Sequence, residues 1–134
     1  MIELVEDRLD IDTYLELRQS VQFRELTRDQ AKKGLSNSLY TLVAFKDGKA
    51  VGMGRIVGDG AIICYVQDLI IRPEVQGEGI GGLILETLKK FVIQEGYEGT
   101  TMMFDLMCAK GREEFYKKHG FIARPTKDLG PGMI

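Results

Sequence analysis

A chain of 134 residues, 44% apolar and 28% charged, can build one compact globular domain and has too little material for two. Eighteen basic against twenty acidic side chains leave a net charge of −2, which argues against a nucleic-acid partner. No apolar run approaches the roughly 20 residues of a bilayer span. The first seven residues have neither the basic head nor the apolar stretch of a signal peptide, so a cytoplasmic chain without membrane contact is expected.

Residues 2–5 are expected to form a short first strand. From Asp10 the positions Ile11, Tyr14, Leu15, Leu17 and Val21 follow a helical period to about Gln22. Thr27-Arg28-Asp29-Gln30 has the spacing of a capping box, in which a hydroxyl and an amide each satisfy a free backbone donor. It opens a short helix ending near Gly34 to Ser38. The period then drops to two. Tyr40 to Lys46 reads as a strand, Asp47-Gly48 as a hairpin turn, and Ala50 to Val57 as the partner strand. Gly58-Asp59-Gly60 turns the chain again, and Ala61 to Ile71 is a long apolar strand closed by Pro73, completing an antiparallel meander.

Ile80, Leu83, Ile84, Leu88, Phe91 and Val92 trace one face of a helix that ends at Gly96. Thr100 to Met107 follows as a buried strand, with Met102, Met103 and Met107 as core filler. Arg112 to Lys118 is a short helix capped by Gly120, and Phe121 starts a last extended segment. The order β-α-α-β-β-β-α-β-α-β, without repeats or linkers, describes one α+β domain over residues 1–134.

Cys64 and Cys108 stand far apart without a CxxC, and His119 is the one histidine, so no metal site is expected. Both cysteines lie in apolar stretches and read as small core residues in a reducing compartment. His119, just before Gly120, reads as a structural residue at a helix C-terminus. Lys89-Lys90 and Lys117-Lys118 read most simply as solvated helix faces, one pair of which could also meet a ligand phosphate.

The chain holds sixteen glycines, about 12% against a usual share near 7%, and they concentrate in Gln76-Gly77-Glu78-Gly79-Ile80-Gly81-Gly82. This stretch joins an apolar strand to an amphipathic helix. Glycines there let the backbone approach a ligand, and the free N–H groups of the helix's first turn favour an anion. A phosphate or pyrophosphate site is the reading, with a ligand-free glycine turn as the alternative. A P-loop is excluded because no Gly-Lys-Ser/Thr follows. A dinucleotide fingerprint is excluded because the turn follows an antiparallel meander instead of opening a parallel βαβ unit.

Gln76-x-x-Gly79-x-Gly81, after a strand ending Asp68-Leu69-Ile70-Ile71-Arg72-Pro73, resembles the acetyl-CoA motif of the GNAT (GCN5-related) N-acetyltransferase superfamily. Glu114-Phe115-Tyr116-Lys117-Lys118-His119-Gly120-Phe121 is similar to the family's recurring FY-x-x-x-GF segment, and the element order agrees over nearly the whole chain. The resemblance implies a GNAT-like fold with a mixed, mostly antiparallel central sheet flanked by helices. It implies that Gln76, Gly77, Glu78, Gly79, Ile80, Gly81 and Gly82 wrap the coenzyme pyrophosphate with backbone amides. It also implies that Leu69, Ile70 and Ile71 pair through backbone groups with the pantetheine arm. Read without it, these three are a buried strand end.

Tyr116 is the catalytic candidate under this resemblance. An amine attacking the thioester expels a thiolate, which a positioned phenol can protonate. Taken alone, Tyr116 is an amphipathic core aromatic. Asp68 and Asp105 are carboxylates near the expected cleft that could take the amine's proton, and each also reads as a structural carboxylate. The chain departs from the family where an asparagine and then an alanine often stand, at Ala109 and Arg112. The resulting expectation is transfer of acetyl from acetyl-CoA to a primary amine of a small-molecule acceptor, by direct attack in a ternary complex. A non-catalytic acyl-CoA-binding or regulatory module and a protein lysine or N-terminal acetyltransferase are the alternatives. The resemblance also implies an acceptor site built from Arg18 to Leu39 and Ala123 to Ile134, and a homodimer.

Overall fold

A computed structural model describes residues 1–134. The elements are β1 (Ile2–Glu6), α1 (Ile11–Ser20), α2 (Arg28–Ser36), β2 (Tyr40–Lys46), β3 (Lys49–Gly58), β4 (Ile63–Ile71), α3 (Ile80–Glu95), β5 (Met103–Leu106) and α4 (Glu113–Lys118), with a 3-10 turn at Pro73–Val75. The five strands form one sheet in the order β1-β2-β3-β4-β5. The first three pairings are antiparallel, and β4 pairs with β5 in parallel after the crossover through α3. This is the expected mixed, mostly antiparallel sheet with flanking helices.

Both faces of the sheet are covered, which explains the unbroken apolar run of β2. Leu42, Ala44, Val51, Ile56, Ile80, Ile84 and Leu88 form a core between the sheet and α3. Tyr14, Leu17, Ala31, Val43, Met53 and Ile70 form a second core beneath α1 and α2. Gly52 and Gly54 let α3 lie close on β3: a Cβ at Gly54 would stand 2.8 Å from Ile84 Cγ2 and 2.9 Å from Leu88 Cδ1. On α3, Leu85 is buried while Leu83 is 49% exposed, so the expected apolar face is displaced by part of a turn there.

Local chemistry sets most boundaries. Asp10 caps α1, accepting from Thr13 N at 2.7 Å, and Thr27 Oγ1 accepts from Gln30 N at 3.0 Å. Only this half of the capping box forms. Helix α1 stops at Ser20, two residues short of the expected end, and Gln22 takes a φ of +61°. Strand β4 begins at Ile63 instead of Ala61 because the Asp59 carboxylate accepts from the N–H groups of Ala61, Ile62 and Ile63 at 2.9, 2.8 and 3.0 Å.

The chain after α3 departs further from expectation. Strand β5 keeps four of the eight expected residues, and Met103 and Met107 are 54% and 52% exposed, so they are not core filler. As the last strand, β5 has a neighbour on one side only. Cys64 is buried as expected, but Cys108 lies beyond the end of β5 and is exposed. No strand follows α4. Pro125 and Pro131 lack the N–H that a strand ladder needs, and Thr126 instead organises a local turn, donating to Leu129 O at 2.8 Å.

One feature of the sheet makes the site. The β4–β5 pairing runs from Ile63–Met103 to Val66–Leu106 and ends there, while β4 continues to Ile71. At the parting, Asp68 has a φ of +62° and the β3 register slips by one residue, the signature of a bulge. The last residues of β4 therefore present a backbone edge without a neighbouring strand.

Candidate active site

A cavity of about 740 Å³ occupies the gap left by the parted strands. Its walls are the β4 end (Leu69, Ile70, Ile71), the turn into α3, the segment after α1 (Ser20 to Phe23), and Ala109, Arg112, Phe115 and Tyr116 around α4. The structure thus brings Tyr116, the three strand-end residues and most of the glycine turn onto one cavity. The side chains of Ile70 and Ile80 are core, leaving their backbones to face it.

The turn presents unpaired backbone donors to open space. Gly77 and Gly79 have φ of +87° and +85°, and a Cβ at either would meet nothing within 4 Å. Glycine is required there by conformation, and the space beside it is open. Gly79 is the N-cap of α3 and offers no side-chain cap, so the first intrahelical bond is Leu83 N to Gly79 O at 3.2 Å. The N–H groups of Ile80, Gly81 and Gly82 stand ahead of that bond, free for a ligand. Glu78, the turn's carboxylate, is held by Lys46 Nζ at 2.6 Å and is not on the cavity wall.

Gly81 and Gly82 serve packing as well. A Cβ at Gly81 would touch the Phe115 ring at 3.4 Å, and one at Gly82 would touch His119 at 3.5 Å. His119 Nδ1 lies 2.5 Å from Glu86, and Lys89 Nζ donates to His119 O at 2.7 Å. These contacts clamp α4 on α3, which confirms His119 as structural and takes Lys89 out of the solvated pair. Tyr116 is fixed by edge contacts to Phe115 and Phe121, with ring centroids 5.1 and 5.9 Å away. Its hydroxyl has no hydrogen-bond partner in the protein. Burial pushes its phenol up to about 12, with Cys108 adding to the shift and Arg112 opposing it.

Neither candidate carboxylate reaches the cavity. Asp68 is 1% exposed and accepts from Tyr14 Oη at 2.5 Å, Arg18 Nη1 at 2.7 Å and Arg55 Nη2 at 3.3 Å. With its oxygens taken by two guanidiniums and a phenol, and Gln67 Nε2 at 3.5 Å from Oδ1, it locks α1 to the sheet and is engaged in structural contacts. Asp105 sits on β5 opposite Tyr65, with one buried oxygen unpartnered. None of residues 123–134 lines the cavity, so the C-terminal half of the expected acceptor wall is absent from it. Sequence reasoning missed the Asp68 cluster, because its partners lie 13 to 54 residues apart in the chain.

Residues 37–123 match the family model of the acetyltransferase (GNAT) domain. The chain belongs to the GNAT acetyltransferases. A probable acetyltransferase of unknown function from meticillin-resistant Staphylococcus aureus superposes with a TM-score of 0.87 at 29% identity, covering 100% of this chain and 98% of that one. A GNAT-family acetyltransferase from Streptococcus pneumoniae gives 0.84 at 29% identity, covering 100% and 96%. An uncharacterized N-acetyltransferase of Pyropia yezoensis is 31% identical over 100 residues, 72% of this chain and 55% of that protein. The chain spans between 29% and 65% of the length of the curated relatives it matches. The matched residues include the Gln76 to Gly82 turn and Tyr116.

Proposed function

We propose that residues 1–134 form one acetyltransferase domain that moves an acetyl group from acetyl-CoA to a primary amine of a small-molecule acceptor. The observation that carries this reading is the cavity itself. It joins free first-turn amides of α3, an unpaired β4 edge and the Tyr116 phenol in one space. The amides suit a pyrophosphate, and the strand edge suits the amide-bearing arm of the coenzyme. The phenol suits the departing sulfur.

In the proposed step the amine nitrogen attacks the thioester carbonyl within a ternary complex. A C–N bond forms and the C–S bond breaks. The Tyr116 hydroxyl donates to the sulfur as negative charge develops there. Arg112 is the one charged side chain on the cavity wall. With no carboxylate there, the proton lost by the amine passes to water. The cysteines, one buried and one exposed and both free, fit a reducing cytoplasm. No helix is long and apolar enough to cross a membrane.

The test is release of free coenzyme thiol when the protein meets acetyl-CoA and a panel of small amines. Thiol release above the amine-free background is expected with at least one of them, and it should vanish in Gly79→Val, which fills the turn's open space. Saturable coenzyme binding without release would point to a binding module. Release only with peptide lysines or N-termini would point to a protein acetyltransferase.

A further inference from the structure

We propose that Arg112 is a donor-binding residue whose guanidinium takes phosphate oxygens of the coenzyme from the wall opposite the glycine turn. This rests on the donor reading above, because it gives the same anion a second partner. Arg112 has no carboxylate within 4.0 Å, and its side chain makes a single hydrogen bond, from Nη2 to Gln76 Oε1 at 3.3 Å. Gln76 opens the glycine turn, and its Nε2 in turn donates to Ile71 O at 3.0 Å. A chain of side-chain contacts thus crosses the cavity from the β4 edge to the start of α4 and ends on an underused guanidinium.

Charge argues for the assignment. A helix N-terminus offers about half a positive charge against the two negative charges of a pyrophosphate. The first turn of α3 carries no basic side chain, and Lys46 is engaged by Glu78. Arg112 therefore supplies the one full positive charge on the wall of the cavity. A long bond to a neutral amide oxygen is readily exchanged for a short, charge-assisted pair to phosphate, for which the planar guanidinium fork is suited.

Calorimetric titration with coenzyme A and with pantetheine, which lacks the phosphates, tests the proposal without any acceptor present. Wild-type protein should bind coenzyme A more tightly than pantetheine. Arg112→Met keeps the apolar stem and should weaken coenzyme A by about ten- to a hundred-fold, the scale of a lost charge-assisted hydrogen bond, while pantetheine is unaffected. Arg112→Lys should fall between the two. Unchanged coenzyme A affinity in Arg112→Met, or an equal loss for both ligands, overturns the proposal. Wild-type protein that binds no coenzyme A, or Gly79→Val that binds it as wild type does, would instead overturn the donor reading.

Discussion

Replacing Tyr116 with phenylalanine separates catalysis from packing. The substitution removes one hydroxyl and leaves the ring contacts to Phe115 and Phe121 in place. That hydroxyl bonds to nothing in the protein, so thermal stability should be unchanged. The phenol lies at about 12, whereas an ordinary thiol lies near 8.5. Full proton transfer from the raised phenol to a thiolate is then uphill. In the proposed mechanism Tyr116 would therefore serve as a hydrogen-bond donor to developing charge on sulfur, with solvent supplying the final proton. Loss of one such preorganised donor costs about 10²- to 10³-fold in kcat, or about 3 to 4 kcal/mol.

Steady-state kinetics of both forms across pH is the assay. KM for the donor should barely move, because the bond strengthens only as the C–S bond breaks. The ratio of wild-type to variant turnover should stay flat between about pH 7 and pH 9, since the phenol remains protonated throughout that range. The sign for stability follows from the raised phenol. An unfolded tyrosine ionises near pH 10, while the folded one holds its proton to about 12. Tyr116 therefore leaves stability unaffected below about pH 10, and wild-type stability falls relative to the phenylalanine variant as pH rises from there toward the folded value. A phenylalanine variant with wild-type kcat would refute the reasoning.

Asp68→Asn leaves Arg18 and Arg55, 12% and 10% exposed at their side chains, without their shared counter-ion. It should cost about 3–5 kcal/mol in urea unfolding, and a loss below about 1 kcal/mol would mean that the cluster is hydrated or dispensable. Gly54→Val drives a branched side chain into Ile84 and Leu88, whose atoms already stand 2.8 and 2.9 Å from an added Cβ. Overpacking of this kind should lower stability by about 1–3 kcal/mol, and an unchanged melting temperature would show that α3 can lift from the sheet at no cost.

The elements legible in the sequence were those whose signal is local. Strand β2 and the start of α3 stand where period and glycine place them, and the Thr27 cap works through a residue three positions away. The glycine turn was legible for the same reason, since positive φ and a missing Cβ are written into single residues. What stayed hidden depends on partners distant in the chain. Cys108 and Met107 have apolar neighbours in sequence, yet β5 ends at Leu106 and leaves both exposed. The terminal segment has apolar residues enough for a strand, but its prolines remove the donors that pairing would need.

The parting of β4 from β5 joins these observations. A parallel pair that ran the full length of β4 would satisfy its backbone edge, and no cavity would exist. The bulge at Asp68 lies just beyond the last pair, Val66–Leu106, and the residue holding that unusual φ is the one gripped by Tyr14, Arg18 and Arg55. Three long-range bonds thus hold the left-handed conformation that a lone aspartate would seldom keep. On this reasoning Asp68, which does not reach the cavity wall, is the residue that keeps the cavity open. Asp68→Asn should then weaken coenzyme A binding even in the fraction of protein that remains folded.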